Sequence, residues 1–242
     1  MTLDPRTSSH RLVRRAAAWL AAVNARHPWD HNAHFHPWVV RRVPRGARVV
    51  LDVGCGAGAL VGALRRRAAE VHGVDADPGM VAAATARLAG DPHVTVRLAR
   101  FDDVRGPGDV RAPEPGRASP DAYDAVTMVA VLHHLELEPA LRHARDLLAP
   151  GGRLLVVGLA RVRTGRDLAV DLVSAVLNPL VGLVRHPRRA RPGETVPWTR
   201  GMPVRDPEHS VDEIARVARA VLPGARLRRR LFFRWTLAWT AR

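Results

Sequence analysis

Apolar positions along the chain follow two rhythms that alternate. Runs such as VVLDV, EVHGVDA, HVTVRL, YDAVTMV and RLLVVGLA are apolar almost throughout or alternate with period two. Between them lie stretches whose apolar residues recur every three or four positions. The first kind of run predicts strands, the second helices. The expected strands are 48–54, 70–76, 93–101, 123–132 and 153–160, with helices at 59–69, 77–89 and 138–149. Asp77 reads as an N-cap with Pro78 in the first turn. Pro150, Gly151 and Gly152 stop the helix before them. Strands alternating with helices imply a parallel sheet wrapped by helices, and continuous apolar runs imply burial on both faces.

The flanks break this rhythm. Residues 9–26 predict a helix with Leu12, Ala16, Trp19, Leu20 and Val23 on one face. A lead-in rich in His, Trp and Pro follows, so 1–44 is set apart from an α/β domain over 45–242. Residues 104–122 form a Pro/Gly loop and 185–209 an irregular basic segment. Residues 210–222 predict an amphipathic helix, and 225–242 a closing pair of antiparallel strands.

Composition narrows the function classes. The chain has 242 residues, 47% of them hydrophobic, enough for one sizeable globular domain. A net charge of +15 would ordinarily point to a polyanionic partner. All 38 of its Lys+Arg positions are Arg, however, with no Gln and a single Ile, Ile214. That is the coding bias of a GC-rich genome, so no nucleic-acid partner is expected. The lone Cys55 excludes an internal disulfide. The N-terminus holds no signal-peptide core, and 168–184, broken by Asp171, Asn178 and Pro179, reads as too short to span a bilayer. A soluble, cytoplasmic protein is expected.

The chemistry concentrates where the first expected strand ends, in LDVGCGAG. Gly54, Gly56 and Gly58 alternate between a strand and a helix, the place where bare backbone lets a ligand approach closely. The spacing is G-x-G-x-G rather than the dinucleotide pattern G-x-G-x-x-G. Asp52 stands just ahead of the loop, where a carboxylate repels a pyrophosphate. It suits a ligand that carries an ammonium and a sulfonium and no phosphate: S-adenosylmethionine. Asp75 ends the next strand about twenty residues on, where an acid takes ribose hydroxyls in such folds.

These segments together resemble the class I S-adenosylmethionine-dependent methyltransferases. LDVGCGAG resembles that family's first motif, VHGVDADPGMV its second, YDAVTMVAVLHHL its fourth-strand motif and LLAPGGRLLVV its fifth-strand motif. The resemblance implies a Rossmann-like, doubly wound α/β fold: a seven-stranded, mostly parallel sheet with an antiparallel last strand. It also implies residue roles. Asp52 would orient the loop and the methionine ammonium. Gly54, Cys55, Gly56 and Gly58 would bring backbone against the cofactor. Asp75 would hold the ribose diol, with Ala76 beside the adenine. Met128 and Val129 would line the methionine moiety. At the third strand many relatives have an acid followed by a small or aromatic residue, and here Arg100 and Phe101 stand instead. Phe101 would flank the adenine, and Asp102 or its neighbour Asp103 would take the amino group or cap the loop, with Asp102 preferred.

Methyl transfer is a displacement at an already activated carbon, so alignment and a dry pocket come before any base. A base serves only hydroxyl, thiol or protonated amine acceptors. His133 and His134 follow the fourth strand and are the candidates, His134 the one facing substrate; the alternative is that each secures a loop. His27, His31, His34 and His36 cluster with Asp30, Trp29, Phe35 and Trp38. No Cys or second acid completes a metal spacing there, so no metal is expected, and the cluster reads as a lid or as packing for the N-terminal helix. In small-molecule members, insertions like 160–209 cover the acceptor. Here the segment offers an apolar wall closed by Trp198, which favours a small hydrophobic or aromatic acceptor. Arg185, Arg188, Arg189 and Arg191 form a solvated face or meet an acidic substrate. Two other readings stand beside this one: an RNA methyltransferase, and a protein that binds the cofactor without transferring methyl.

Overall fold

The computed structural model describes residues 15, 18, 19, 22, 23, 26–110, 121–185 and 206–242. The expected helix at 9–26 and Trp198 lie largely or wholly outside the described residues. The elements in chain order are α1 (His31–Val40), β1 (Ala47–Val53), α2 (Ala59–Leu64), β2 (Ala68–Asp75), α3 (Pro78–Leu88) and β3 (Val94–Leu98). Then come α4 (Pro107–Val110), β4 (Tyr123–Val129), α5 (Leu137–Asp146), β5 (Leu148–Gly158), α6 (Gly165–Arg185), α7 (Val211–Val221), β6 (Arg226–Arg230) and β7 (Arg234–Thr240).

One seven-stranded sheet runs in the order β3-β2-β1-β4-β5-β7-β6. β1 to β5 are parallel, and β7 pairs antiparallel with both β5 and β6, so the last strand alone is reversed. This is the expected Rossmann-like α/β fold.

Period-two alternation sorts β1 between two cores. Val49, Leu51 and Val53 pack with Leu141, Ala144, Ile214 and Ala218 of α5 and α7. Val50 packs on the other face with Phe35 and Val39 of α1 and with Leu60 and Leu64 of α2. Central strands covered on both sides cannot alternate with polar residues, which explains their near-continuous Val and Leu.

Several boundaries differ from the sequence expectation, each for a tertiary reason. α2 stops at Leu64 instead of residue 69, because Arg65 turns to donate to the carbonyl of Ala69 at 2.9 Å and to Asp91 at 3.0 Å, and β2 begins at Ala68. β5 begins at Leu148 and runs through Pro150-Gly151-Gly152. Those residues form an irregularity opposite Tyr123 and Ala125 rather than a stop. Gly151 takes a left-handed φ of +78° there. β3 and β4 end early, and Phe101–Asp103 and Leu132–His134 are single 3₁₀ turns at the sheet edge. The expected Pro/Gly loop contains the short helix α4, while 111–120 lie outside the described residues.

One helix was not foreseen, and another is longer and more continuous than the sequence suggested. α1 carries Pro37 in its interior and is capped by Asp30, whose carboxylate accepts from Asn32 and Ala33 N–H at 2.8 and 2.9 Å. α6 corrects the reading of 168–184 as short and interrupted. It is continuous over 21 residues through Asn178 and Pro179, and by length and composition alone it is apolar enough to cross a membrane, with a mean hydropathy of 1.7. α7 opens as expected, with a reciprocal capping box between Ser210 and Glu213.

Candidate functional site

In an open α/β sheet, ligands settle outside the carboxyl ends of the strands where the strand order reverses. Here that point lies between β1, which pairs with β2 on one side, and β4 on the other. A cavity of about 510 Å³ opens there, walled by the ends of β1, β2 and β4 and by the turns that follow β2 and β3.

The glycine loop forms one wall, and its three glycines answer three different constraints. All three have left-handed φ, +63° at Gly54, +52° at Gly56 and +76° at Gly58. A methyl at Gly54 would stand 2.1 Å from the Val131 side chain, and at Gly58 it would stand 2.7 Å from Leu88. Those two let the loop seat against β4's exit and α3. At Gly56, which lines the cavity, a methyl would meet nothing within 4 Å, so the space beside this backbone is open.

Asp75 organises the opposite side. Its Oδ2 accepts from Gly56 N–H at 2.8 Å and its Oδ1 from Asp77 N–H at 3.0 Å. Each carboxylate oxygen retains a further lone pair. One acid thus ties the glycine loop to the start of α3 while lining the cavity, and it can still accept from a vicinal diol. Asp77 caps α3 through Gly79 and Met80 N–H at 2.7 and 3.0 Å.

The cavity also brings together Gly54, Ala76, Phe101, Asp102, Val129 and His134 among the residues singled out from sequence. Phe101 is buried, its ring meets His143 edge-on at 4.6 Å, and its carbonyl accepts from His143 Nε2 at 3.1 Å. Asp102 is exposed, 3.9 Å from Arg100. His134 lines the cavity, with the ring of His133 4.0 Å away and outside the lining.

Asp52, Cys55, Gly58, Met128 and His133 stand behind this wall rather than on it. Asp52 is 2% exposed, and its Oδ1 lies 2.7 Å from the Thr127 hydroxyl. Burial pushes its carboxyl up to about 7, with Asp75 adding in the same direction. Cys55 packs beside Gly73, and burial raises its thiol well above the ordinary range. Met128 belongs to the core beneath α5 and α7.

Sequence reasoning missed Asn32, Met80, Val131 and Leu135, which also line the cavity. Asn32 is positioned by Arg234, whose Nη2 and Nε donate to its Oδ1 at 2.9 and 3.3 Å. Burial lowers that guanidinium to about 10. The readable signal was Asp30, a helix-start residue two positions earlier. Val131 follows Ala130, a non-glycine residue at φ +58°, a strained geometry concentrated at functional sites.

The histidine cluster packs elements together. His31 and Trp29 Nε1 both reach Asn178 Oδ1 of α6, at 2.8 and 2.7 Å. Trp29 and His34 meet Phe232 edge-on at 4.9 and 5.2 Å. Burial lowers His31, His34 and His36 below the ordinary imidazole range. Among the described residues no group of three His, Cys, Asp or Glu is placed to hold a metal ion.

Comparison with known proteins agrees with this geometry. A family described as a methyltransferase domain matches residues 51–154. An uncharacterized methyltransferase of Mycobacterium tuberculosis is 32% identical over 220 residues, 88% of this chain and 98% of its own. A ubiquinone biosynthesis O-methyltransferase of Xylella fastidiosa is 31% identical over 166 residues, 67% of this chain and 63% of its own. A crystal structure of a SAM-dependent methyltransferase from Aquifex aeolicus shares the fold, with a TM-score of 0.53 over 93% of this chain and 98% of that one at 15% identity. Near-full-length similarity, the matched domain and the common sheet lead to one conclusion: the chain belongs to the class I S-adenosylmethionine-dependent methyltransferases.

Proposed function

We propose that this enzyme moves the methyl group of S-adenosylmethionine to a small hydrophobic or aromatic acceptor. The observation that carries the reading is the single cavity that joins the Asp75 diol-binding edge to His134 and Leu135 past Gly56 and Val129. When bound, S-adenosylmethionine supplies a methyl carbon already activated by its sulfonium. Asp75 would hold the ribose, Ala76 and Phe101 would flank the adenine, and Asp102 would face its amino group. Gly54, Gly56 and Val129 would border the methionine portion. Asp52 acts through the loop above it, as a buried acid whose charge answers a nearby cation. Met128 and Cys55 fill the core behind those residues.

His134 is the group placed to accept a proton from a hydroxyl acceptor, and Asn32, fixed by Arg234, offers a second polar contact. Val131 and Leu135, beside His134, give the acceptor an apolar surface, and Met80 adds another on the Asp75 side. The lead-in contributes Asn32 to the cavity wall, and in this reading the enzyme is cytoplasmic. The name of the Xylella relative supports a small-molecule acceptor.

The test is transfer of a radiolabelled methyl group to a panel of phenols, catechols and lipophilic hydroxy compounds, with structured RNA alongside. Turnover of a lipophilic phenol, lost in Asp75→Ala, supports the proposal. Labelling of RNA with no small molecule accepted overturns it. Binding of S-adenosylhomocysteine with no transfer to any member would favour a cofactor-binding protein instead.

A further inference from the structure

α6 is folded inside out. Its buried positions are Asp167, Ser174, Asn178 and Gly182. Its exposed positions include Leu172, Val173, Val176, Leu180, Leu183 and Val184, each between 49% and 82% accessible. A helix on the surface of a globular protein has the reverse pattern, with its apolar stripe turned to the core. At 3.6 residues per turn the six exposed residues form one continuous stripe over three turns, opposite the polar line.

The polar side is fastened, so the helix cannot roll to hide the stripe. Arg229 Nε meets Asp167 at 2.7 Å, Phe232 N–H donates to Ser174 Oγ at 2.8 Å, and Trp29 donates to Asn178 at 2.7 Å. At Gly182 even a methyl would stand 2.3 Å from the His27 carbonyl. The β6–β7 tip, held to the middle of α6 through the Ser174 bond, leaves Leu231 and Phe233 exposed as well, at 39% and 37%.

Charge selects the occupant. Exposed Arg166 and Arg185 bracket the stripe. The chain as a whole carries +15. A second copy laid against the stripe would bring like charges together. A bilayer with anionic headgroups presents the opposite charge over an apolar interior. We infer that α6 lies flat in the interface of an anionic lipid bilayer, its Leu and Val stripe among the acyl chains and the flanking arginines at the headgroups. The bonds from Asp167, Ser174 and Asn178 keep it a docking face and not a span. His31 bonds Asn178, and its neighbour Asn32 lines the cavity, so the docked helix sits one residue from the cavity wall.

Vesicle co-sedimentation tests this, with phosphatidylcholine alone and with about 30% phosphatidylglycerol added. The wild type is expected to partition onto the anionic vesicles roughly tenfold or more over the neutral ones. The combined variant Leu172→Ser, Val176→Ser and Leu180→Ser is expected to lose about tenfold of that binding while still binding S-adenosylhomocysteine. A wild type that stays in the supernatant, or a variant that sediments as well as the wild type, overturns the inference. So does a dimer in solution that the variant abolishes, which would give the stripe to a second copy. If the triple variant does not fold, Leu180→Cys labelled with an environment-sensitive dye serves, since native Cys55 is buried. Its emission should shift to the blue on anionic vesicles, and an unchanged spectrum overturns the docking.

Discussion

Asp52 and Thr127 are register partners across β1 and β4, and the Thr127 hydroxyl lies 2.7 Å from Asp52 Oδ1 and 3.2 Å from the Leu51 carbonyl. One hydroxyl proton cannot serve both oxygens. With Asp52 neutral, the acid can donate to Thr127 while Thr127 donates to the Leu51 carbonyl. With Asp52 ionised, the hydroxyl turns to the carboxylate and the Leu51 carbonyl loses it. The hydroxyl's donation to the carboxylate favours ionisation, but burial outweighs it and, with Asp75 adding in the same direction as burial, raises the folded-state pKa to about 7.

A raised carboxylate pKa makes the folded state hold a proton that the unfolded chain releases. Stability from this group is therefore present below the ordinary value of 3.8 and is lost as pH rises through about 7. The slope is about 1.4 kcal/mol per pH unit inside that window. Asp52→Asn keeps the shape and removes the titration. Thermal unfolding should show the variant gaining on the wild type from pH 5 to pH 8. Parallel curves would place the proton elsewhere.

A cation bound over the loop should pull Asp52 toward ionisation. Titration with S-adenosylhomocysteine near pH 7, in two buffers of different ionisation enthalpy, should report net proton release for the wild type. Asp52→Asn should release none.

Asp75 holds two backbone amides and, in the proposed reading, the ribose. Asp75→Ala should cost about 1 kcal/mol of stability, the net worth of a hydrogen bond whose half-buried donors water can reach, and abolish calorimetric binding of S-adenosylhomocysteine. Asp75→Asn should restore much of the stability and little of the binding. Unaltered affinity in either variant would remove Asp75 from the cofactor site.

His134→Gln should lower kcat by roughly a hundredfold with a hydroxyl acceptor, the usual scale of general-base catalysis, and leave S-adenosylhomocysteine affinity unchanged. His133→Gln should lower kcat far less, since His133 lies off the cavity. Equal losses in both would mean that the pair supports the turn and not the chemistry.

Phe232 and Phe233 both adopt left-handed φ, +62° and +60°, at the β6–β7 tip. Phe232 is 6% exposed among Trp29, His31 and His34, and Phe233 is 37% exposed. Phe233→Gly relieves strain at small loss of packing and should stabilise by up to about 1 kcal/mol in urea unfolding. Phe232→Gly removes a buried ring and should destabilise by about 3 kcal/mol or more.

The parts that could be read from the sequence are those set by local chemistry. The strand–helix alternation, the Asp77 cap, the glycine loop and Asp75 depend on residues within a few positions of one another. The readings that failed depend on distant partners. Pro37 argues against a helix locally, yet Phe35 and Val39 are drawn into the core with Val50 and hold one in place. Arg65 ends α2 through Asp91, 26 residues away. Asn32 became a cavity residue through Arg234, 202 residues away. α6 misled because its apolar residues were read as a wall over the acceptor, whereas Asp167, Ser174 and Asn178 find their partners on the inner side and the Leu and Val residues face out.

Because β7 lies between β5 and β6, the sheet cannot close in the order in which a ribosome makes it. β6 emerges before the only strand that joins it to the rest. Until Arg234 to Thr240 arrive, β5 keeps an open edge and β6 has no seat. The final insertion also brings Trp235 over Gly158, where a methyl on the glycine would stand 2.3 Å from the indole, and sets the Trp235 N–H on the Leu159 carbonyl at 2.9 Å. A chain in which Arg234 to Thr240 fail to pair would thus expose two sticky strand edges at once, and quality control would see an unfinished sheet and not one with a loose end.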